Sequence, residues 1–278
     1  MKLRLGFSPC PNDTFIFHAL VHGLLSDPEA SGLEFDVALA DVEALNLMAD
    51  AGELDVAKIS YHAYGYLADR YVLLPAGGAL GQGVGPLVVA RDSKLDLSGR
   101  RIAIPGGRTT ANLLLRLWRP EDAELVEFRY DRIMPAVVAG EVDAGLIIHE
   151  SRFTYPDYGL QEVVDLGTWW EQEVGELVPL GAIAARRSLG EATLARLTRL
   201  IRSSLAHAWR DPAASAEYVA EHAQEMEPQV RQRHIDLYVN RYSRDVGPRG
   251  AAAARRLLQL GHERGLFAPV PEPLFAVG

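Results

Sequence analysis

A histidine closes the run Ala144-Gly-Leu-Ile-Ile-His149. With an unperturbed pKa near ~6.5, histidine is the side chain that most readily takes up a proton near neutral pH. The apolar residues before it lie between turn signals, the pattern of a strand buried on both faces, as in a parallel sheet. Open α/β sheets bind ligands beyond the carboxyl ends of their strands, so His149 is placed to meet one. The alternative is a half-buried histidine that only ends a strand. Glu150 follows it; alternation sends neighbouring strand side chains to opposite faces, which predicts a solvated carboxylate.

The same phrase occurs twice. Ala51-Gly-Glu-Leu-Asp55 and Ala139-Gly-Glu-Val-Asp143 align so that Ser60 falls on Ile148 and Tyr61 on His149. This makes Lys58-Ile59-Ser60 a second candidate segment. A lysine inside an apolar strand needs water, a counter-charge or a ligand, so Lys58 reads either as a ligand contact or as the partner of Asp13 or Asp41. Thr109 and Thr110 follow Gly106-Gly107 at a helix N-terminus, where free N–H groups and two hydroxyls suit a carboxylate; plain N-capping is the competing reading. The Gly-x-x-x-x-Gly-Lys-Ser/Thr pattern of a nucleotide-phosphate loop is absent.

Three further features carry weaker chemical signals. Cys10 stands in the stiff loop Ser8-Pro-Cys-Pro-Asn-Asp13, as a structural thiol or, given a base, a nucleophile. His18 and His22 share a helix face but lack a third ligand in the pattern, so no metal is expected. Trp169 and Trp170 suit either a cleft wall or the core.

The elements needed to position these residues can be laid out along the chain. Leu3 to Phe7 reads as a strand, with Asn12 or Asp13 capping a helix from Thr14 to Leu25. Strand Leu33 to Ala40, a helix capped by Asp41, strand Leu54 to Ser60 and a helix from His62 to Asp69 follow. The Gly-rich passage from Ala76 to Pro86 reads as a hinge or crossover. The order then repeats: strand Arg101 to Ile104, helix Ala111 to Trp118, strand Glu124 to Phe128, a helix capped by Asp131, and the strand ending in His149. Leu180 to Ala185 reads as a strand returning to the first half. Helices are expected over Thr193–Trp209, Pro212–Gln224, Pro228–Arg241 and Gly250–Arg264. The resulting expectation is an α/β protein of two lobes with a cleft between them, residues 1–85 with 186–278 in one and residues 86–185 in the other.

Bulk composition narrows the partners. The chain has 278 residues, 48% hydrophobic and 23% charged, which is ordinary for a soluble globular protein. Its 28 Lys and Arg stand against 37 Asp and Glu, a formal net charge of −9 that argues against a nucleic-acid surface. A single cysteine allows no internal disulfide and fits a reducing compartment. The N-terminus enters a strand pattern at once and no apolar run reaches membrane-span length, so a cytoplasmic protein without a membrane partner is expected.

Taken together, Ser8-Pro-Cys-Pro-Asn-Asp-Thr-Phe15, Pro105-x-x-x-Thr-Thr-Ala-Asn112, Gly145-Leu-Ile-Ile-His-Glu150, Trp169-Trp-Glu171 with Pro179-Leu-Gly181, and Leu237-Tyr-Val-Asn240 resemble the 1,4-dihydroxy-6-naphthoate synthases of the futalosine route to menaquinone. The resemblance runs over nearly the whole chain. It implies a periplasmic-binding-protein-like fold (type II) used as a carbon–carbon lyase, with cyclic dehypoxanthinyl futalosine split into 1,4-dihydroxy-6-naphthoate and dihydroxyacetone. It also implies no metal or organic cofactor, a proton-accepting role for His149, and substrate binding by Lys58, Ile59 and Ser60 and by Thr109 and Thr110. Asn12, with Ser60, is expected to bind sugar-derived oxygens. A chorismate dehydratase-like enzyme of the same pathway and a non-catalytic solute-binding protein remain the alternatives.

Overall fold

A computed structural model describes residues 1–26, 31–118, 122–223 and 227–277. The first half runs β1 (Lys2–Phe7), α1 (Pro11–Val21), β2 (Glu34–Leu39), α2 (Val42–Asp50), β3 (Val56–Ser60), α3 (Tyr61–Leu67) and β4 (Tyr71–Gly81). The second runs β5 (Leu87–Ala90), β6 (Arg101–Ile104), α4 (Thr110–Trp118), β7 (Glu124–Glu127), α5 (Tyr130–Ala139), β8 (Ala144–Ile147), α6 (Ser151–Thr154), β9 (Gln161–Asp165) and α7 (Leu166–Glu173). Then follow β10 (Val178–Arg186), α8 (Glu191–Arg210), α9 (Ala216–His222), α10 (Pro228–Tyr238), α11 (Arg241–Arg244) and α12 (Gly247–Glu263). The expected end of one helix at Gln224 lies outside the described residues.

Two five-stranded sheets result, ordered β2-β1-β3-β10-β4 and β7-β6-β8-β5-β9. They are built alike. β3 pairs parallel with β1 through Leu5–Val56 and Gly6–Ala57, and β8 pairs parallel with β6 through Ile102–Ala144 and Ala103–Gly145. The repeated aspartates do the same work in each: Asp55 Oδ2 accepts from Arg4 N at 2.9 Å, and Asp143 Oδ2 accepts from Arg101 N at 3.0 Å. The next strand in each sheet is antiparallel, β10 beside β3 and β5 beside β8, so the sheets are mixed rather than parallel. β3 and β8 are buried along their whole length, which is why β8 reads as a continuous apolar run and why Lys58 and Ser60 within β3 need partners. Each large aliphatic side chain so buried contributes roughly 1.5–3 kcal/mol.

Three expectations about local structure need correction. Most of the Gly-rich passage is strand: β4 includes residues 76–81, and only the stretch after it crosses between sheets. Gly77 takes φ +82°, and the β4–β10 register shifts between Gly181 and Ile183, so the glycines accommodate a bulged strand rather than a hinge. A Cβ on Gly77 would stand 2.7 Å from Ile183 Cγ1. The first helix also starts earlier than expected. Pro11 occupies its first turn, Cys10 is the N-cap, and neither Asn12 nor Asp13 caps it. Asp41 does cap α2, accepting from Glu43 N and Ala44 N, whereas α5 starts after Arg129 with no side-chain cap and Asp131 pairs with Arg129 instead.

The C-terminal helices cover the first sheet: α8 packs on α1 and β4, α10 on α1, and α12 on α3 and β10. No helix among the described residues is long and apolar enough to cross a membrane.

Candidate active site

Residues from both halves of the chain line one cleft. Asn12, Lys58, Ile59, Ser60, Thr109, Thr110 and His149, the residues singled out from sequence, all line it. Val42, Leu45, Ala79, Val84 and Ile148 give it an apolar lining.

His149 stands just past the end of β8, and it is the only residue other than glycine with positive φ, +57°, among the described residues. Such a conformation costs on the order of 1–3 kcal/mol and persists only where its surroundings hold it. Its Nδ1 is 3.6 Å from Cys10 Sγ, its ring meets Tyr130 edge-on at 5.3 Å, and His234 stacks on it at 6.1 Å and 25°. With Nδ1 turned to the thiol, Nε2 is the nitrogen left for a ligand. Burial chiefly, with Lys58 adding and Asp13 and Asp41 opposing, lowers the imidazole pKa to about 4. The ring is therefore neutral at neutral pH, the state a proton acceptor requires. Burial pushes the Cys10 thiol well above its usual value, with Glu150 adding to the effect. It is a neutral neighbour of His149, not a thiolate nucleophile.

Positive φ at His149 ends the strand, so alternation no longer governs the next residue. Glu150 is buried, not solvated, and its Oε2 is 3.9 Å from His234 Nδ1.

Lys58 finds its counter-charge. Its Nζ donates to Asp13 Oδ1 at 2.7 Å and to the Gly77 carbonyl at 2.9 Å, with side-chain exposures of 7% for Lys58 and 3% for Asp13. Ser8 Oγ donates to Asp13 Oδ2 at 2.7 Å, and Asn12 Nδ2 donates to Asp13 Oδ1 at 2.8 Å. Ser60 is held by Asn46, which accepts from Ser60 N at 2.9 Å while its amide donates to Glu43 Oε2 at 3.0 Å.

Thr109 caps α4: its hydroxyl donates to the Gly106 carbonyl and accepts from Asn112 N. Thr110 joins the two sheets, its hydroxyl accepting from Tyr61 N at 2.9 Å and donating to the Leu180 carbonyl at 2.5 Å. Beside it, Arg108 N donates to Glu43 Oε1, and the Arg108 guanidinium lies 4.6 Å over the Tyr66 ring. The cleft is thus closed at this edge by the Thr110 hydroxyl, while the Thr109 hydroxyl is used at the start of its own helix.

The His18 and His22 rings meet at 4.6 Å, tilted by 41°, and no group of three metal-ligating side chains exists among the described residues. Trp170 is core, its Nε1 donating to the Leu177 carbonyl, and neither Trp169 nor Trp170 lines the cleft.

A family model described as menaquinone biosynthesis matches residues 3–263. The chain belongs to the menaquinone biosynthesis family. Among relatives in it, a 1,4-dihydroxy-6-naphthoate synthase of Thermus thermophilus is 54% identical over 273 residues, covering 98% of both chains. A protein of the same name from Streptomyces coelicolor is 51% identical over 269 residues, 95% of this chain and 94% of that one. A solved structure from Archaeoglobus fulgidus, 40% identical, superposes with a TM-score of 0.90 over 96% of this chain and 98% of that one. Beyond the menaquinone biosynthesis family, the fold is shared with an alkanesulfonate-binding protein of Xanthomonas axonopodis pv. citri. That match is 15% identical with a TM-score of 0.73 over 99% and 96% of the two chains. The two-lobed periplasmic-binding-protein-like architecture is therefore the fold.

Among the polar cleft residues, sequence reasoning missed His234 and Tyr238 and did not assign Ser8 or Asp13 to it. Ser8, Asp13 and Tyr238 lie inside runs that carried the family resemblance. His234 lies on α10, far along the chain in a segment with no motif of its own, and only tertiary packing reveals it.

Proposed function

We propose that the protein is a 1,4-dihydroxy-6-naphthoate synthase, a carbon–carbon lyase that splits cyclic dehypoxanthinyl futalosine into 1,4-dihydroxy-6-naphthoate and dihydroxyacetone. The observation that carries this reading is the pair of relatives so named, more than half identical over nearly the whole chain. In this reading His149 Nε2 removes a proton from the bound substrate, the carbon–carbon bond to the three-carbon fragment breaks, and aromatisation of the bicycle drives the step. The proton ends on the leaving fragment, so no water or redox partner is consumed. The apolar lining from Val42, Leu45 and Ile148 suits a flat bicycle, and the amide and hydroxyl groups of Asn12 and Ser60 suit sugar-derived oxygens. Residues 1–85 with 186–278 and residues 86–185 act as the two lobes, with β10 reaching back into the first sheet, and closure between them excludes water. Chemistry in a reducing cytoplasm fits the single, buried thiol.

Purified protein incubated with cyclic dehypoxanthinyl futalosine is expected to release the naphthoate, read by chromatography. Chorismate consumption without naphthoate would instead identify a dehydratase, and binding without turnover of either compound would identify a solute-binding protein.

Closure has its own expected result. Thr110→Val removes the hydroxyl shared by Tyr61 N and the Leu180 carbonyl, leaving a donor on one lobe and an acceptor on the crossing strand unpaired. Losing about 1–3 kcal/mol from the closed state lowers the population competent to hold substrate. Steady-state kinetics should show KM rising by about tenfold, with kcat changed less. An unchanged KM would mean that this edge does not govern substrate retention.

A further inference from the structure

We propose that His234 is a positioning residue for His149, and that Lys58, Asp13 and Asn12 act on the chemistry through it. The inference rests on His149 being the proton acceptor.

The atoms form a directed chain. Lys58 Nζ donates to Asp13 Oδ1, which also receives Asn12 Nδ2. A carboxylate cannot accept from an amide oxygen, so the Asn12 amide has one allowed orientation and turns Oδ1 away from Asp13. That oxygen lies 2.8 Å from His234 Nε2. His234 therefore carries its proton on Nε2 and donates it to Asn12, leaving the Nδ1 lone pair facing Glu150 Oε2 at 3.9 Å. Its ring, fully buried on α10, then stacks on His149.

The backbone at His149 supplies the reason such a support is needed. A histidine at φ +57° on a turn gains no orientation from a regular strand. Its ring plane is set by what touches it: Cys10 at Nδ1, Tyr130 at one edge and His234 on the stacked face. His234 is anchored to the buried charge pair through Asn12, and Cys10 reaches the same Asp13 through its N–H to Ser8 Oγ. Burial and the neighbouring His149 and Lys58 hold His234 well below its ordinary pKa, so it remains neutral beside the base. Lys58 and Asn12 both line the cleft, and each also commits polar atoms to this chain.

His234→Gln keeps an amide N–H for Asn12 and loses the ring; His234→Phe keeps a ring and loses the donor. Each should lower kcat by about 10- to 100-fold with KM within about twofold, the cost of a slightly misplaced base. The deciding measurement is the cycle with His149→Asn. If His234 acts through His149, His234→Gln lowers kcat no further once His149 is gone. A full additional loss in that background, or a KM effect with kcat intact, overturns the proposal. If the His234→Gln protein fails to fold, His234→Phe runs the same cycle. A failure of the base assignment is separate, because His149→Asn alone would then retain kcat whatever His234 does.

Discussion

His149→Asn is expected to fold, bind substrate and lose kcat by about 100-fold or more, the scale of a missing general base. Asparagine keeps a polar group near Cys10 and tolerates positive φ better than most residues, so the turn after β8 survives the change. What disappears is a basic nitrogen facing the cleft. The pH dependence follows from the lowered pKa. A base with a free-enzyme pKa of about 4 is deprotonated across the neutral range, so kcat/KM should be flat from about pH 6 upward and fall as the pH drops through 4. An anionic substrate bound nearby would favour the imidazolium and raise that value in the complex, moving the limb seen in kcat to higher pH. Single-turnover formation of naphthoate measures the chemical step, and calorimetric titration with the product measures binding. A variant that keeps its kcat would remove His149 from the chemistry.

How far the sequence discloses this site depends on the range of the forces involved. The repeated Ala-Gly-Glu-x-Asp phrase is local, and it locates two equivalent strands because Asp55 and Asp143 each tie down the parallel neighbour of their own strand, β1 and β6. Burial of β8 is legible for the same reason: a strand covered on both faces favours a continuous apolar run, which β3 interrupts with Lys58 and Ser60. Asp13 misleads because its local role, capping α1, loses to a distant one. Lys58 on β3 needs a buried counter-charge more than the helix needs a cap. Glu150 misleads because alternation presumes that the strand continues, and the turn at His149 stops it. Gly77 and Gly78 resemble a hinge in composition, yet they serve a bulge whose carbonyl turns to Lys58. In each case the demands of a cleft residue, Lys58 or His149, override the local rule, as expected where a fold sacrifices local consistency to build a site.

The largest stability effect is expected at Lys58. Two unit charges so thoroughly removed from water are costly to bury, and the pair as a whole need not add to stability. Removing one partner is different. Lys58→Met fills much the same volume but leaves the Asp13 carboxylate buried with only neutral donors, from Ser8 and Asn12. The Gly77 carbonyl, turned toward Nζ at the bulge, also loses its donor. Breaking a buried pair on one side typically costs about 3–5 kcal/mol, a large share of a native protein's margin. Urea denaturation should show the midpoint falling with the slope preserved. The companion variant Lys58→Met with Asp13→Leu removes both charges, and it should recover a good part of the loss, since no ion is then left unpaired. A Lys58→Met cost below about 1 kcal/mol would put the pair in the class of exposed surface bridges, which its burial contradicts. The double variant also separates stability from catalysis. It restores folding without restoring the acceptor for the Asn12 amide, so Asn12 no longer has a fixed orientation toward His234. A stable protein with a low kcat is therefore the expected outcome, and a stable protein with full kcat would show that the buried pair supports the fold alone.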